Sequence, residues 1–153
     1  MAYRRTSHAV YELNYHFVWP PKYRKHIGTA EVKKFLEDLF PKVATAYGFE
    51  VIEQNVQPDH IHLFIQAPPR FAPAHIVETM KSISAKEVFK KFPRIRDQLW
   101  GGELWSSGYF VRAVGGQVTS FVIQRYISAV RSFIFNLSLT KGSRAQRFCH
   151  RYV

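Results

Sequence analysis

Cysteine is nearly missing from this chain. Cys149 is the sole example, so an intrachain disulfide and any cysteine-rich zinc module are excluded. A metal held here must use imidazole, oxygen or water. No apolar run reaches the length that spans a bilayer, no amphipathic anchor stands out, and the start, Met1-Ala-Tyr-Arg-Arg-Thr-Ser, lacks the apolar core of a secretion signal. A cytoplasmic protein with no membrane attachment is expected. Internal repeats and low-complexity stretches are absent. Acidic residues stop at Glu103, which leaves Arg112, Arg125, Arg131, Lys141, Arg144, Arg147 and Arg151 without a local counter-charge. That third of the chain is the expected nucleic-acid surface, although from Lys141 onward a solvated basic tail explains the same charges.

What is present points to one packed domain, expected to span 1–153. The 153 residues are 46% hydrophobic and 16% aromatic, too apolar for a disordered chain and long enough for one core without staples. Lysine and arginine number 22 against 11 acidic residues, a formal charge of +11 that favours a polyanion through phosphate neutralisation and counterion release.

Pattern along the chain predicts the elements. Residues 8–19 alternate, with Tyr11, Leu13, Tyr15, Phe17 and Trp19 on one parity, and read as a strand closed by Pro20-Pro21. Lys22-Tyr23-Arg24-Lys25-His26 follows as a basic loop holding one aromatic ring, able to grip phosphate and stack a base, or else an ordinary solvated turn. Thr29 caps a helix from Ala30 to a stop at Gly48, with a kink or break expected near Phe40 because Pro41 lacks a donor. Phe49 to Gln57 reads as a strand and Gln57-Pro58-Asp59 as the turn into the strand carrying His60 and His62, together an antiparallel hairpin. Ala74 to Phe92 is a second helix, Asp97 to Gly102 a loop around Trp100, and Trp105 to Val114 a fourth strand. Trp100 and Trp105 read as core or interface residues. From Thr119 the pattern is helical again. Strand-helix-strand-strand-helix-strand-helix predicts an α+β, ferredoxin-like (RRM-like) antiparallel sheet with two crossover helices and an additional C-terminal helix.

The chemistry centres on Pro58-Asp59-His60-Ile61-His62-Leu63-Phe64-Ile65. On a strand, His60 and His62 share a face, and two imidazoles so placed can hold a divalent ion if other ligands complete the shell. An isolated His-x-His is equally a pair of polar residues on a half-buried strand. Phe64 and Ile65 stand where a three-His phosphate pattern or a His-x-His-x-Asp-His hydrolase would need ligands, and no second His-x-Ser/Thr supports a two-motif phosphodiesterase. His16 lies on the polar parity of the first strand and reads as structural or adjacent to a site. Tyr126 lies in the last helical segment beside Gln124 and Arg125. A tyrosine can attack a phosphodiester and hold it covalently, but a phenol of pKa about 10 needs an electrophile such as metal-polarised phosphate.

Five pieces now fall in order: Tyr15-His16-Phe17-Val18-Trp19, Lys22-Tyr23-Arg24, Pro58-Asp59-His60-Ile61-His62-Leu63, Leu99-Trp100-Gly101-Gly102-Glu103-Leu104-Trp105 and Ile123-Gln124-Arg125-Tyr126-Ile127. Together they resemble the single-tyrosine His-hydrophobic-His transposases of the insertion sequence 200/605 group, from about residue 10 to about residue 130. The resemblance implies a catalytic core over about 8–130 and a helical, basic extension over 131–153. It implies a dimeric enzyme that cuts and rejoins single-stranded DNA with hairpins at the element ends, through a 5′-phosphotyrosine. His60 and His62 are then metal ligands, Tyr126 the nucleophile, Mg²⁺ or Mn²⁺ the cofactor, and Lys22, Arg24 and Arg125 candidate DNA contacts. The sequence departs from the family at Val130, where the family has a glutamine ligand one turn after the tyrosine. Three outcomes stay open: a two-His site completed by phosphate and water, a substitute ligand among Asp59, Gln117 and Gln124, or lost activity. From a different class, the competing reading is a catalytically silent binder of single-stranded or hairpin nucleic acid on the same fold.

Overall fold

The computed structural model describes residues 3–24, 29–99, 101–115, 122, 124 and 125. A short ribbon pairs β1 (Arg4–Arg5) with β2 (Val10–Tyr11). The main sheet contains β3 (Asn14–Trp19), β4 (Glu50–Val56), β5 (Ile61–Gln66) and β6 (Phe110–Val114). Helix α1 (Ala30–Tyr47) links β3 to β4, while α2 (Pro73–Lys91) and α3 (Pro93–Gln98) link β5 to β6. The strand order β4-β5-β3-β6, antiparallel throughout, is the split arrangement of the ferredoxin-like sheet, as the element order predicts.

Parity divides the sheet into two chemically different faces. Phe17, Trp19, Ile61, Leu63 and Ile65 point to one side and merge with Val32, Leu36 and Phe40 of α1 and Ile76, Val77 and Met80 of α2 into the main core. Trp19 sits edge-on to both Phe40 and Trp105, each with ring centroids 6.0 Å apart, and the Trp105 indole donates to Ser84 Oγ at 2.9 Å. Trp105 is therefore a core residue, the first of the two roles expected for it; Trp100 lies outside the described residues. The second face carries Asn14, His16, Val18, His62 and Phe64, and Phe64 clusters there with Val114 and Ile52.

Helix α1 begins and ends as its sequence requires. The Thr29 hydroxyl accepts from the Val32 N–H at 3.3 Å, and Gly48 closes the helix in the left-handed region at φ 82°. The break expected near Phe40 does not occur, and the helix runs through Pro41. Pro41 cannot donate to the carbonyl four residues back, that of Glu37. The side chain of Gln54 on β4 supplies the missing donor, its Nε2 lying 2.7 Å from Glu37 O.

Three other expectations are corrected. The strand expected over 8–19 is divided, because the turn at Thr6 to Ala9 folds Val10–Tyr11 back on Arg4–Arg5 before β3 begins. The loop expected from Asp97 starts inside α3, a six-residue helix opened by Pro93. The fourth strand starts at Phe110 rather than Trp105, since 104–106 bonds instead to the segment leaving β3: Lys22 N–H to Leu104 O at 2.8 Å and Ser106 N–H to Pro20 O at 3.1 Å. Among the described residues no helix is long and apolar enough to cross a membrane.

Candidate DNA-processing site

The second face of the sheet assembles the chemistry. His62 is the cross-strand partner of Val18 on β3 and of Asn55 on β4, and His16 is the partner of Phe64 and, on the other side, of Arg112. His60 stands just before β5 begins, where its carbonyl accepts from the Gln57 N–H at 2.9 Å. The His60 and His62 rings lie 4.8 Å apart between centroids, at 80° to each other. The alternation read from the sequence thus brings both imidazoles together.

Each ring has one nitrogen engaged from outside the pair. Asp59 Oδ1 lies 2.7 Å from His60 Nδ1, and a carboxylate can only accept, so Nδ1 carries a proton; in the neutral tautomer this leaves the lone pair on Nε2. His16 Nε2 lies 3.0 Å from His62 Nδ1, with the two rings nearly parallel. Burial, helped by the Arg112 guanidinium, pushes His16 down to about 4. His62 is held well below the ordinary histidine range, first by burial and then by the neighbouring His60 and His16. Both rings are neutral at pH 7. With His62 Nδ1–H donating to His16, the Nε2 of His62 is a lone-pair nitrogen, like that of His60; the reverse tautomer would block it.

Residues not singled out by the sequence reading complete the surroundings. Asn55 and Gln57 are both buried, Gln57 Nε2 donates to Asn55 Oδ1 at 2.5 Å, and Asn55 Nδ2 has no partner although it lies beside His62. Arg112, read only as one of several unbalanced charges, is exposed on the histidine face. Register alone reveals these neighbours, because they come from other strands. Among the described residues no group of three or more His, Cys, Asp or Glu could hold a metal. Two adjacent imidazoles, backed by an acceptor on His60 Nδ1 and a ring partner on His62 Nδ1, nevertheless fit the inner ligands of a hard or borderline divalent ion.

The remaining sequence-predicted residues divide. Lys22 is engaged by Glu103, with Nζ 2.5 Å from Oε2; this bond raises the pKa of the amine and lowers that of the carboxylate. Arg24 ends the same turn, and Arg125 is exposed in helical backbone together with Val122 and Gln124. Asp59, one candidate for a further ligand, sits behind His60 as its orienting acceptor. Tyr126, Val130, Gln117 and the extension 131–153 lie outside the described residues.

A ferredoxin-like sheet that presents a His-hydrophobic-His pair from an inner strand of a strongly basic chain is the framework of single-tyrosine DNA transposases. The chain belongs to the IS200-like transposase family, whose model matches residues 9–130. It is 38% identical over 120 residues to the ISDra2 transposase TnpA of Deinococcus radiodurans, covering 78% of this chain and 85% of that protein. It is 26% identical over 121 residues to the IS200 transposase of Salmonella typhimurium, covering 79% of this chain and 78% of that one. A Deinococcus radiodurans R1 crystal structure, described as a transposase candidate, superposes with TM-score 0.68 at 34% identity, over 82% of this chain and 96% of the other. The fold is shared also with a REP-associated tyrosine transposase solved with a REP hairpin, at TM-score 0.56 and 17% identity, over 83% and 70% of the two chains. The protein is thus a transposase of the IS200/IS605 family, and membership implies an enzyme that cuts and rejoins DNA.

Proposed function

We propose that this transposase acts on single-stranded DNA by a tyrosine mechanism, with Tyr126 attacking a phosphodiester placed against His60 and His62. The observation that carries the reading is the pair of adjacent imidazoles whose Nδ1 atoms are engaged by Asp59 and His16, an arrangement that suits Nε2 of each ring to a ligand. His60 and His62 would hold Mg²⁺ or Mn²⁺, which when bound polarises the phosphate and offsets its charge. Asp59 and His16 keep the two rings oriented. The Tyr126 oxygen gives up its proton and forms a bond to phosphorus as the bond to the 3′ oxygen breaks; the departing 3′ oxygen takes up a proton, leaving a 5′-phosphotyrosine and a free 3′-OH. Reversal on another junction rejoins the strand. Arg112, exposed beside the histidines, together with Arg24 and Arg125, neutralises neighbouring phosphates. Lys22 joins them by exchanging Glu103 for phosphate.

Hairpin ends and a homodimer, in which the tyrosine helix of one subunit can complete the histidine site of the other, belong to the same proposal. The family likeness supports them, as does the REP hairpin in the structure of one fold neighbour. With Val130 at the family's glutamine position, the ion relies on two imidazoles, DNA phosphate and water.

The test is to incubate wild type and Tyr126→Phe with a single-stranded hairpin substrate and Mn²⁺ and look for a protein–DNA adduct on a denaturing gel. An adduct in wild type alone supports the enzyme. DNA binding with no adduct in either supports the silent binding module instead.

A further inference from the structure

Tyr23 is the one non-glycine residue among those described whose backbone lies at positive φ, at φ 57° and ψ 19°. A side chain with a Cβ is unfavourable there, and a bulky ring rarely occupies the region without a reason outside local preference. Burial does not supply the reason, since the residue is 56% exposed.

Its neighbours hold the turn rigidly. Before it, the Ser106 N–H donates to Pro20 O, Pro21 bridges to Trp105, and the Lys22 N–H donates to Leu104 O. The Lys22 ammonium is bound to Glu103 on the same segment and lies 5.6 Å from the centre of the Tyr23 ring. Trp105 in turn is buried in the core. The ring is therefore presented to solvent from a backbone it cannot readily leave.

Its place in the fold is specific. Trp19, the last residue of β3, is the register partner of Ile61, the first of β5. The chain thus leaves β3 for Tyr23 at the end of the sheet where Asp59 and His60 enter β5. The Lys22–Tyr23–Arg24 turn and the histidine pair share one end of the sheet.

We infer that Tyr23 is a fixed stacking platform for one unpaired nucleobase of the DNA strand lying at the histidine site. This rests on the proposed single-stranded substrate. A π-face held in place loses little freedom on stacking, is indifferent to which base it meets, and is reinforced by the nearby cation. The ring stands 56% exposed on this positive-φ backbone.

The experiment compares two probes of equal length and charge, an oligo(dT) single strand and an abasic deoxyribose-phosphate strand, by fluorescence anisotropy. Wild type prefers oligo(dT) by about ten-fold or more, the size expected of one stacked base. Tyr23→Leu and Tyr23→Gly lose most of that preference while binding the abasic strand as wild type does, and Tyr23→Phe retains it. Tyr23→Gly also melts no lower than wild type, because glycine relieves the backbone strain. An unchanged oligo(dT) preference in Tyr23→Leu overturns the inference, as does a Tyr23→Gly that loses stability and leaves the preference intact. Failure of wild type to bind either strand would sink the functional reading as well; its success with an unaltered Tyr23→Leu would sink this inference alone.

Discussion

His16 Nε2 meets His62 Nδ1 at 3.0 Å, so a residue of one inner strand engages one ring nitrogen of its neighbour's imidazole. That contact places His16 directly beside the histidine pair. The burial of His16 also makes the fold sensitive to acid.

The direction follows from burial. His16 is held near 4 in the fold and returns to the ordinary 6.5 when unfolded, so between these values the unfolded chain binds the extra proton. Stability falls as pH drops from 6.5 toward 4, and the lowered pKa of His62 adds a loss of the same sign. Thermal melts of metal-free protein across this range check it: His16→Gln, which can still hydrogen-bond to His62 but does not titrate there, flattens the slope.

Asp59→Asn tests the orientation of His60. The amide is nearly isosteric, but it no longer acts as a charged acceptor for Nδ1–H, so His60 is held less firmly with Nε2 free. Mn²⁺ affinity by calorimetry is expected to weaken about ten-fold or more, with little change in melting temperature.

Gln54 and Pro41 form a separable pair. Gln54→Leu strands the Glu37 carbonyl and is expected to cost about 1–3 kcal/mol in denaturant unfolding. Pro41→Ala restores a backbone N–H to that carbonyl, so the cost of Gln54→Leu shrinks in the Pro41→Ala background. Equal costs in the two backgrounds would remove Gln54 from the account of why α1 continues.

These cases also mark where sequence reasoning succeeds. Alternation at Tyr15-Phe17-Trp19 and His60-His62 and the helical spacing of Val32-Leu36-Val43 are local signals, and they suffice for the strand order and the histidine pair. The unbroken α1 depends on a residue seventeen positions away, which no local pattern shows. In the same way, Asn55, Gln57 and Arg112 reach the histidine face only through pairing register. The late start of β6 follows from competition: Lys81 on α2 donates to the carbonyl of Ser106 at 2.6 Å, and Pro20 and Lys22 take other backbone groups of the same segment.

Val130→Gln addresses the departure from the family pattern. If the tyrosine helix lies over the histidine pair, a carboxamide at this position adds an oxygen ligand, and Mn²⁺ binding by calorimetry tightens. Unchanged affinity would count against that placement.

The most direct measurement is to digest the covalent protein–DNA adduct with nuclease and protease and locate the attached nucleotide by mass spectrometry. The account predicts a 5′-phosphate on the peptide containing Tyr126, formed with Mn²⁺ by wild type and not by His60→Ala or His62→Ala. An adduct on another residue, or one that forms equally well without the two histidines, would contradict it.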